Sequence, residues 1–146
     1  MKNTEDKTPR VFLETNILID YILFRGEEAL AAEYIFESAM ASAVSIYIAA
    51  HSLTNLYYSV RKDLSHGERD LTLLNLCAIC NVLPVSGENF EKAITAKYSR
   101  DVEDSLQIQC ALDAGCDYFV TRDRELFKKS PVKTLPPHEL IKELSL

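Results

Sequence analysis

Glu14 directly follows Val11-Phe12-Leu13, Asp123 closes Tyr118-Phe119-Val120-Thr121-Arg122-Asp123, and Asp104 lies in Val102-Glu103-Asp104-Ser105-Leu106. These acids are far apart in the chain, yet the runs before Glu14 and Asp123 read as short buried strands. In an open α/β sheet, ligands bind beyond the carboxyl ends of the strands, where the strand order switches. Carboxylates gathered there repel one another unless a cation joins them. Mg²⁺ or Mn²⁺ suits that place, because hard divalent ions prefer carboxylate oxygens. The chemistry such a cluster serves is metal-assisted phosphodiester hydrolysis. No neighbouring side chain is an obvious general base, so water activated by the metal is the expected nucleophile.

Taken singly, two of the acids have simpler readings. Asp101 stands three residues before Asp104, which is a near capping box, and acids in a first helical turn also complement the dipole. Asp123 is placed to cap a short helix around Leu126. Glu14 is harder to dismiss, because an acid between a buried strand and the apolar Ile17–Phe24 segment is costly unless paired or solvated. Taken together at one sheet edge, the three acids favour a site. Asn16, Asn55, Thr121 and Arg122 are the polar residues placed to assist. Asn16 would orient a carboxylate or a bound water, Thr121 would cap a helix or meet a phosphate, and Arg122 would hold a nucleic-acid backbone. Asn55 also has a plain reading, as a first-turn residue after an N-cap at Ser52. Asp20 reads as either a support for the site or a solvated residue, and Asp101 and Glu103 as solvent-facing or as assisting Asp104.

The elements that must position these residues alternate along the chain. Strands are expected at Arg10–Leu13, Ser45–Ala49, Val82–Val85, Asp117–Val120 and Val132–Leu135. Helices are expected at 16–24 with Thr15 as cap, 27–43, 52–62, 68–79, 88–98, 102–114, 123–127 and 137–144. Gly26 breaks the first helix and Gly115 ends the sixth, a usual C′ residue. Pro84 marks the third strand as an edge. Strands alternating with helices predict a three-layer α/β/α sandwich with a central parallel sheet. Right-handed crossovers bring the strand carboxyl ends to one edge. One domain, 10–146, follows a loose tail at 1–9.

Composition agrees with a globular enzyme or binding domain. The 146 residues are 47% hydrophobic and 26% charged, enough for a core without disulfides. The net charge of -6 argues against coating nucleic acid by charge alone. Basic residues still cluster locally, at Arg61-Lys62, Arg122, Arg124 and Lys128-Lys129. No apolar run is long enough to cross a bilayer and the amino terminus is no signal peptide, so a cytoplasmic protein is expected. Cys77 and Cys80 have a C-x-x-C spacing inside an apolar helical stretch, and read as buried core in preference to a zinc knuckle. The three histidines share no ligand spacing, and no P-loop, G-x-G-x-x-G or G-x-S-x-G is present. An Asp-x-Asp phosphatase motif and the paired acids of a receiver domain are also missing.

Together, Phe12-Leu13-Glu14-Thr15-Asn16, Asp104-Ser105-Leu106-Gln107 and Thr121-Arg122-Asp123 resemble the motifs of the PIN domain family of metal-dependent ribonucleases. The resemblance runs from Val11 to Leu140. It implies Mg²⁺ or Mn²⁺ held by Glu14, Asp104 and Asp123, an RNA substrate, and products with 5′-phosphate and 3′-hydroxyl ends. It also implies a toxin inhibited by an antitoxin, since part of the family works that way. Dimerisation through apolar middle helices is a further expectation. Two departures stand out: the family's first acid is normally Asp where this chain has Glu14, and its helical Glu after the second strand is Asn55 here. They motivate an alternative, a catalytically attenuated PIN-fold module that binds RNA or protein.

Overall fold

The computed structural model describes residues 7–146, so most of the expected tail lies outside the described residues. Pro9 is tied to the sheet, its carbonyl accepting from Ser45 N at 2.9 Å. The described residues form five strands and eight helices: β1 (Arg10–Leu13), α1 (Thr15–Leu23), α2 (Ala29–Met40), β2 (Ser45–Ala49), α3 (Ala50–Ser59), α4 (His66–Ile79), β3 (Asn81–Leu83), α5 (Gly87–Ala96), α6 (Val102–Asp113), β4 (Tyr118–Val120), α7 (Leu126–Lys129), β5 (Lys133–Leu135) and α8 (Pro137–Leu144). All strand pairs are parallel, in the order β3-β2-β1-β4-β5. The chain winds outward from β1 to one side, then returns to place β4 on the other. The switch point therefore falls between β1 and β4, the two strands that precede Glu14 and Thr121.

Side chains alternate across β1 with the period of a strand. Val11 and Leu13 join Ile17, Leu18, Ile35, Phe36 and Leu140 in one core, beneath α1, α2 and α8. Phe12 enters the other core with Leu106, Ile108 and Phe119, beneath α6. Phe12 and Phe119 stack across the β1–β4 pair at 5.3 Å between centroids. These two cores on opposite faces make the three-layer sandwich. No helix among the described residues is long and apolar enough to cross a membrane.

Several boundaries differ from the sequence reading for local reasons. Glu14, not Thr15, caps α1: its Oε2 accepts from Asn16 N at 2.8 Å. Helix α1 ends at Leu23 because Phe24 takes the left-handed conformation, with φ 47°, before Gly26 is reached. Helix α2 is shorter than the expected 27–43. Helix α3 starts at Ala50, so Ser52 is no cap and lies buried in its first turn. Helix α7 runs Leu126–Lys129, not 123–127, and no side chain caps it; Asp123 Oδ1 instead accepts from Glu125 N at 3.0 Å. Cys80 is buried, but Cys77 is exposed, so the pair does not share a buried face. The reason is that Cys80, whose N–H still donates to Leu76 O, lies one turn after the buried Leu76, whereas Cys77 is one residue round from it on the exposed side.

Candidate active site

The site begins with register. Leu13 pairs with Val120. Glu14 N then donates to Val120 O at 3.1 Å, while Thr121 N donates to Leu135 O at 3.2 Å. Glu14 and Thr121 thus leave neighbouring strands side by side, and Thr121 Oγ1 donates to Glu14 Oε1 at 3.0 Å. The same hydroxyl accepts from Asp123 N at 3.1 Å, fixing the turn that presents Asp123.

Glu14 is only 4% exposed. Burial pushes its carboxyl up to about 7; the Asn16 N–H and the Thr121 hydroxyl pull it back, and the Asp104 charge adds to the rise. Asp104 arrives from the opposite core's helix. Asp101 Oδ1 caps α6 by accepting from Glu103 N at 2.8 Å and Asp104 N at 3.3 Å. Asp104 is thereby fixed in the first turn of α6. Burial pushes its carboxyl up to about 6, helped by the charges of Asp101, Asp123 and Glu103. Asp104 is thus near each of the other two acids, Asp123 adding to its own rise and Asp104 adding to that of Glu14.

The neighbouring polar residues are bound into two networks. Beneath the acids, Gln107 Oε1 accepts from Thr15 N at 3.0 Å and from Thr15 Oγ1 at 3.1 Å. Thr15 Oγ1 also lies 2.8 Å from Ser52 Oγ, which ties α1 to α3. Gln107 is fully buried, and its Nε2 has no hydrogen-bond partner among the described residues. Beside the acids, Asn55 Nδ2 donates to Glu103 Oε2, and His51 Nε2 lies 3.8 Å from the same carboxylate. Glu103 thus keeps a partly exposed side chain while Asn55 engages its carboxylate. Asn16 meets Glu14 through its backbone, and its side chain is exposed.

Of the two readings of Asp20, the solvated one is overturned. It is buried and paired with two arginines: Arg122 Nε at 2.6 Å and Arg25 Nε at 3.2 Å. Sequence reading left it as a support or a solvated residue and missed Arg25. The available signal was an acid one turn after Asn16 in an apolar helix, where an unpaired charge would be costly.

No three His, Cys, Asp or Glu side chains among the described residues stand close enough to ligate one ion. Both Glu14 oxygens already accept protein hydrogen bonds. The donor chemistry nevertheless suits a hard divalent ion: burial raises Asp104 most, and a cation would relieve the smaller repulsion that Asp101, Asp123 and Glu103 add. The residues fit such an ion by donor type and charge, without forming a ready-made ligand set.

The PIN domain family model matches residues 10–125, from the first residue of β1 to the turn after Asp123. The chain belongs to the PIN domain family. Solved structures agree on the PIN fold. The Rickettsia felis VapBC2 complex, bound to a DNA fragment from its promoter, is similar with a TM-score of 0.64 at 19% identity, covering 86% of this chain and 96% of that one. Mycobacterium tuberculosis VapC20, a toxin that cleaves the sarcin-ricin loop, gives a TM-score of 0.66 at 14% identity, covering 84% and 97%. A toxin-antitoxin complex from Klebsiella pneumoniae gives 0.66 at 21% identity, covering 87% and 97%. No curated protein matches the chain.

Proposed function

We propose that this PIN domain is a divalent-metal-dependent endoribonuclease of the toxin type. The observation that supports the reading is that Glu14 and Thr121 leave adjacent strands at the β1–β4 switch point, with Asp123 on the turn that Thr121 holds and Asp104 near enough for its charge to add to the rise of Glu14. Glu14, Asp104 and Asp123 would hold Mg²⁺ or Mn²⁺, which would polarise the scissile phosphate and lower the pKa of the attacking water. The chain's own residues do the positioning. Thr121 and the Asn16 N–H fix Glu14, the Asp101 cap fixes Asp104, and the Thr121 hydroxyl fixes the Asp123 turn. Arg122, anchored on Asp20, offers a guanidinium to the RNA backbone. Asn55 holds Glu103 beside Asp104 and keeps that edge polar.

Toxin-antitoxin complexes of the same fold support an antitoxin partner for this chain. The test is cleavage of a mixed RNA pool with Mn²⁺, by the wild type and by Asp104→Asn. Cleavage that stops in chelator and falls at least ~100-fold in the variant supports the proposal, since positioned electrostatic groups typically contribute that much. Wild-type rates in Asp104→Asn, or in chelator, would overturn it.

A second reading is favoured by one specific feature: both Glu14 oxygens are held by protein donors, so the acid is turned into the fold. Under that reading the chain keeps RNA or protein binding and has lost cleavage. It predicts no Mn²⁺ binding by calorimetry at millimolar concentration.

A further inference from the structure

The cleft beside the acids is not explained by metal chemistry. It measures about 530 Å³, within the ~300–1,000 Å³ usual for small-ligand sites. Its walls come from the end of α1, the α1–α2 turn, the β4–α7 loop and Pro136 at the end of β5. It therefore opens at the same sheet edge as Glu14 and Thr121. Arg25, Arg122 and Arg124 line it, with Phe127 half-buried among them.

Charge in the cleft is unevenly matched. The buried Asp20 is shared by two guanidiniums, each bound mainly through its Nε. Arg25 and Arg122 are about half exposed, at 51% and 44%, so part of each fork remains open to a ligand. Glu28 accepts from His138 N at 3.0 Å and lies 2.6 Å from His138 Nδ1, so both its oxygens are taken. Glu27 is exposed on the α1–α2 turn. Arg124 pairs with no acid among the described residues, and its Cζ sits 6.0 Å from the Phe127 ring centroid. A guanidinium held in place by a buried carboxylate loses little freedom on binding a phosphate, and arginine forks match phosphate oxygens well. A partly open aromatic ring beside them offers a base a stacking surface.

We infer that the Arg25–Arg122–Arg124 cleft binds the RNA strand next to the scissile position, taking a flanking phosphate on the guanidiniums and a flanking base on Phe127. This rests on the nucleic-acid reading of the acid cluster and adds a substrate subsite to it. The ligand is a single strand, because the Phe127 face needs an unstacked base. A free nucleotide shares the phosphate chemistry but would occupy the cleft without extending to the acids.

The test is fluorescence anisotropy with a labelled single-stranded RNA decamer in chelator, so that neither metal nor cleavage enters. Wild type, Arg25→Gln, Arg124→Ala, Phe127→Ala and the distant charge control Lys92→Ala are compared over a salt series. Each lost phosphate contact should make the log K against log salt slope shallower by about 0.7 in Arg25→Gln and Arg124→Ala. Phe127→Ala should weaken binding ~5-fold or more at unchanged slope, and Lys92→Ala should match the wild type. Melting temperatures check folding; if Arg25→Gln fails to fold, Arg124→Ala carries the result. Wild-type slope and affinity in a folded Arg124→Ala overturn the inference, as does RNA displacement by a glutamate oligomer at matched charge. Chelator-sensitive cleavage together with such a null result would sink the cleft alone and leave the nuclease reading standing.

Discussion

Glu14 concentrates the physical tension of this molecule, since it is at once a helix cap, a buried acid and a candidate ligand. Its ordinary value is 4.5 and its folded value about 7. Between those values the folded state binds more protons than the unfolded state, so stability falls as pH rises. Above the upper value the ionised carboxylate costs the fold about 3 kcal/mol, at ~1.4 kcal/mol per pKa unit. Asp104 acts in the same direction, from 3.8 to about 6. His51 acts oppositely: burial lowers its pKa, so stability is lost as pH falls through 6.5. Comparison with Glu14→Gln cancels the histidine contribution. In chelator, the wild-type melting temperature should drop between about pH 4.5 and about pH 7 by more than that of Glu14→Gln. Parallel curves would mean that the acid is solvated in solution. The same residue sets metal affinity. Glu14→Asp shortens the side chain by one methylene and frees it from at least one of its two protein donors, so Mn²⁺ should bind more tightly to Glu14→Asp than to the wild type by calorimetry. Equal or weaker binding would show that the longer side chain is not what limits the site.

At the scale of elements, helix starts govern the geometry. Helix α4 opens with a full capping box, Ser65 accepting from Glu68 N and Glu68 accepting from Ser65 N at 2.8 Å. Ser65→Ala should cost about 1 kcal/mol and lower the melting temperature by a few degrees. Metal affinity should not change, because α4 contributes nothing to the acid cluster; a coupled loss would mean that α4 supports the site. Such helix starts also decided what could be read from the sequence. Asp101 as cap and Asp104 at N3 were legible because the motif is local and spans four residues. Strand β2 and helix α8 were legible from composition and from Pro137. Glu14 as the α1 cap was not, because a glutamate cap competes with the more usual Thr15 and wins only through tertiary contact with Thr121. The Arg25–Asp20–Arg122 bridge was illegible for the same reason: it joins positions about a hundred residues apart. Asn55 was singled out by motif position, but its partner Glu103 depends on how α3 and α6 meet. Local chemistry could be read directly, whereas partners depended on the packing of layers.

The whole molecule leaves one side incompletely covered. Leu30 and Tyr34 on α2, Leu71 and Leu74 on α4 and Phe24 at the end of α1 are exposed, Leu30, Leu71 and Leu74 each by 60% or more. Leu30 and Tyr34 are one turn apart and so share a helix face. Phe24, Glu33, Thr72 and Asn75 line one groove, which places the α1, α2 and α4 residues along a common surface. Single exposed leucines are ordinary, but several along adjoining helices mark an interaction surface. Leu71 and Leu74 on α4 do not line the Asp20–Arg122 cleft, and closed two-fold pairing is the commonest arrangement for self-contact. The expected outcome is a dimer by light scattering at tens of micromolar, converted to monomer by the double substitution Leu71→Glu and Leu74→Glu with unchanged circular dichroism. Both leucines are already solvent-exposed, so the charges should cost the monomer little, and any loss of mass would report the interface and not unfolding. A wild type that stays monomeric at that concentration would remove the dimer and leave the surface to a different protein, the antitoxin expected of this family.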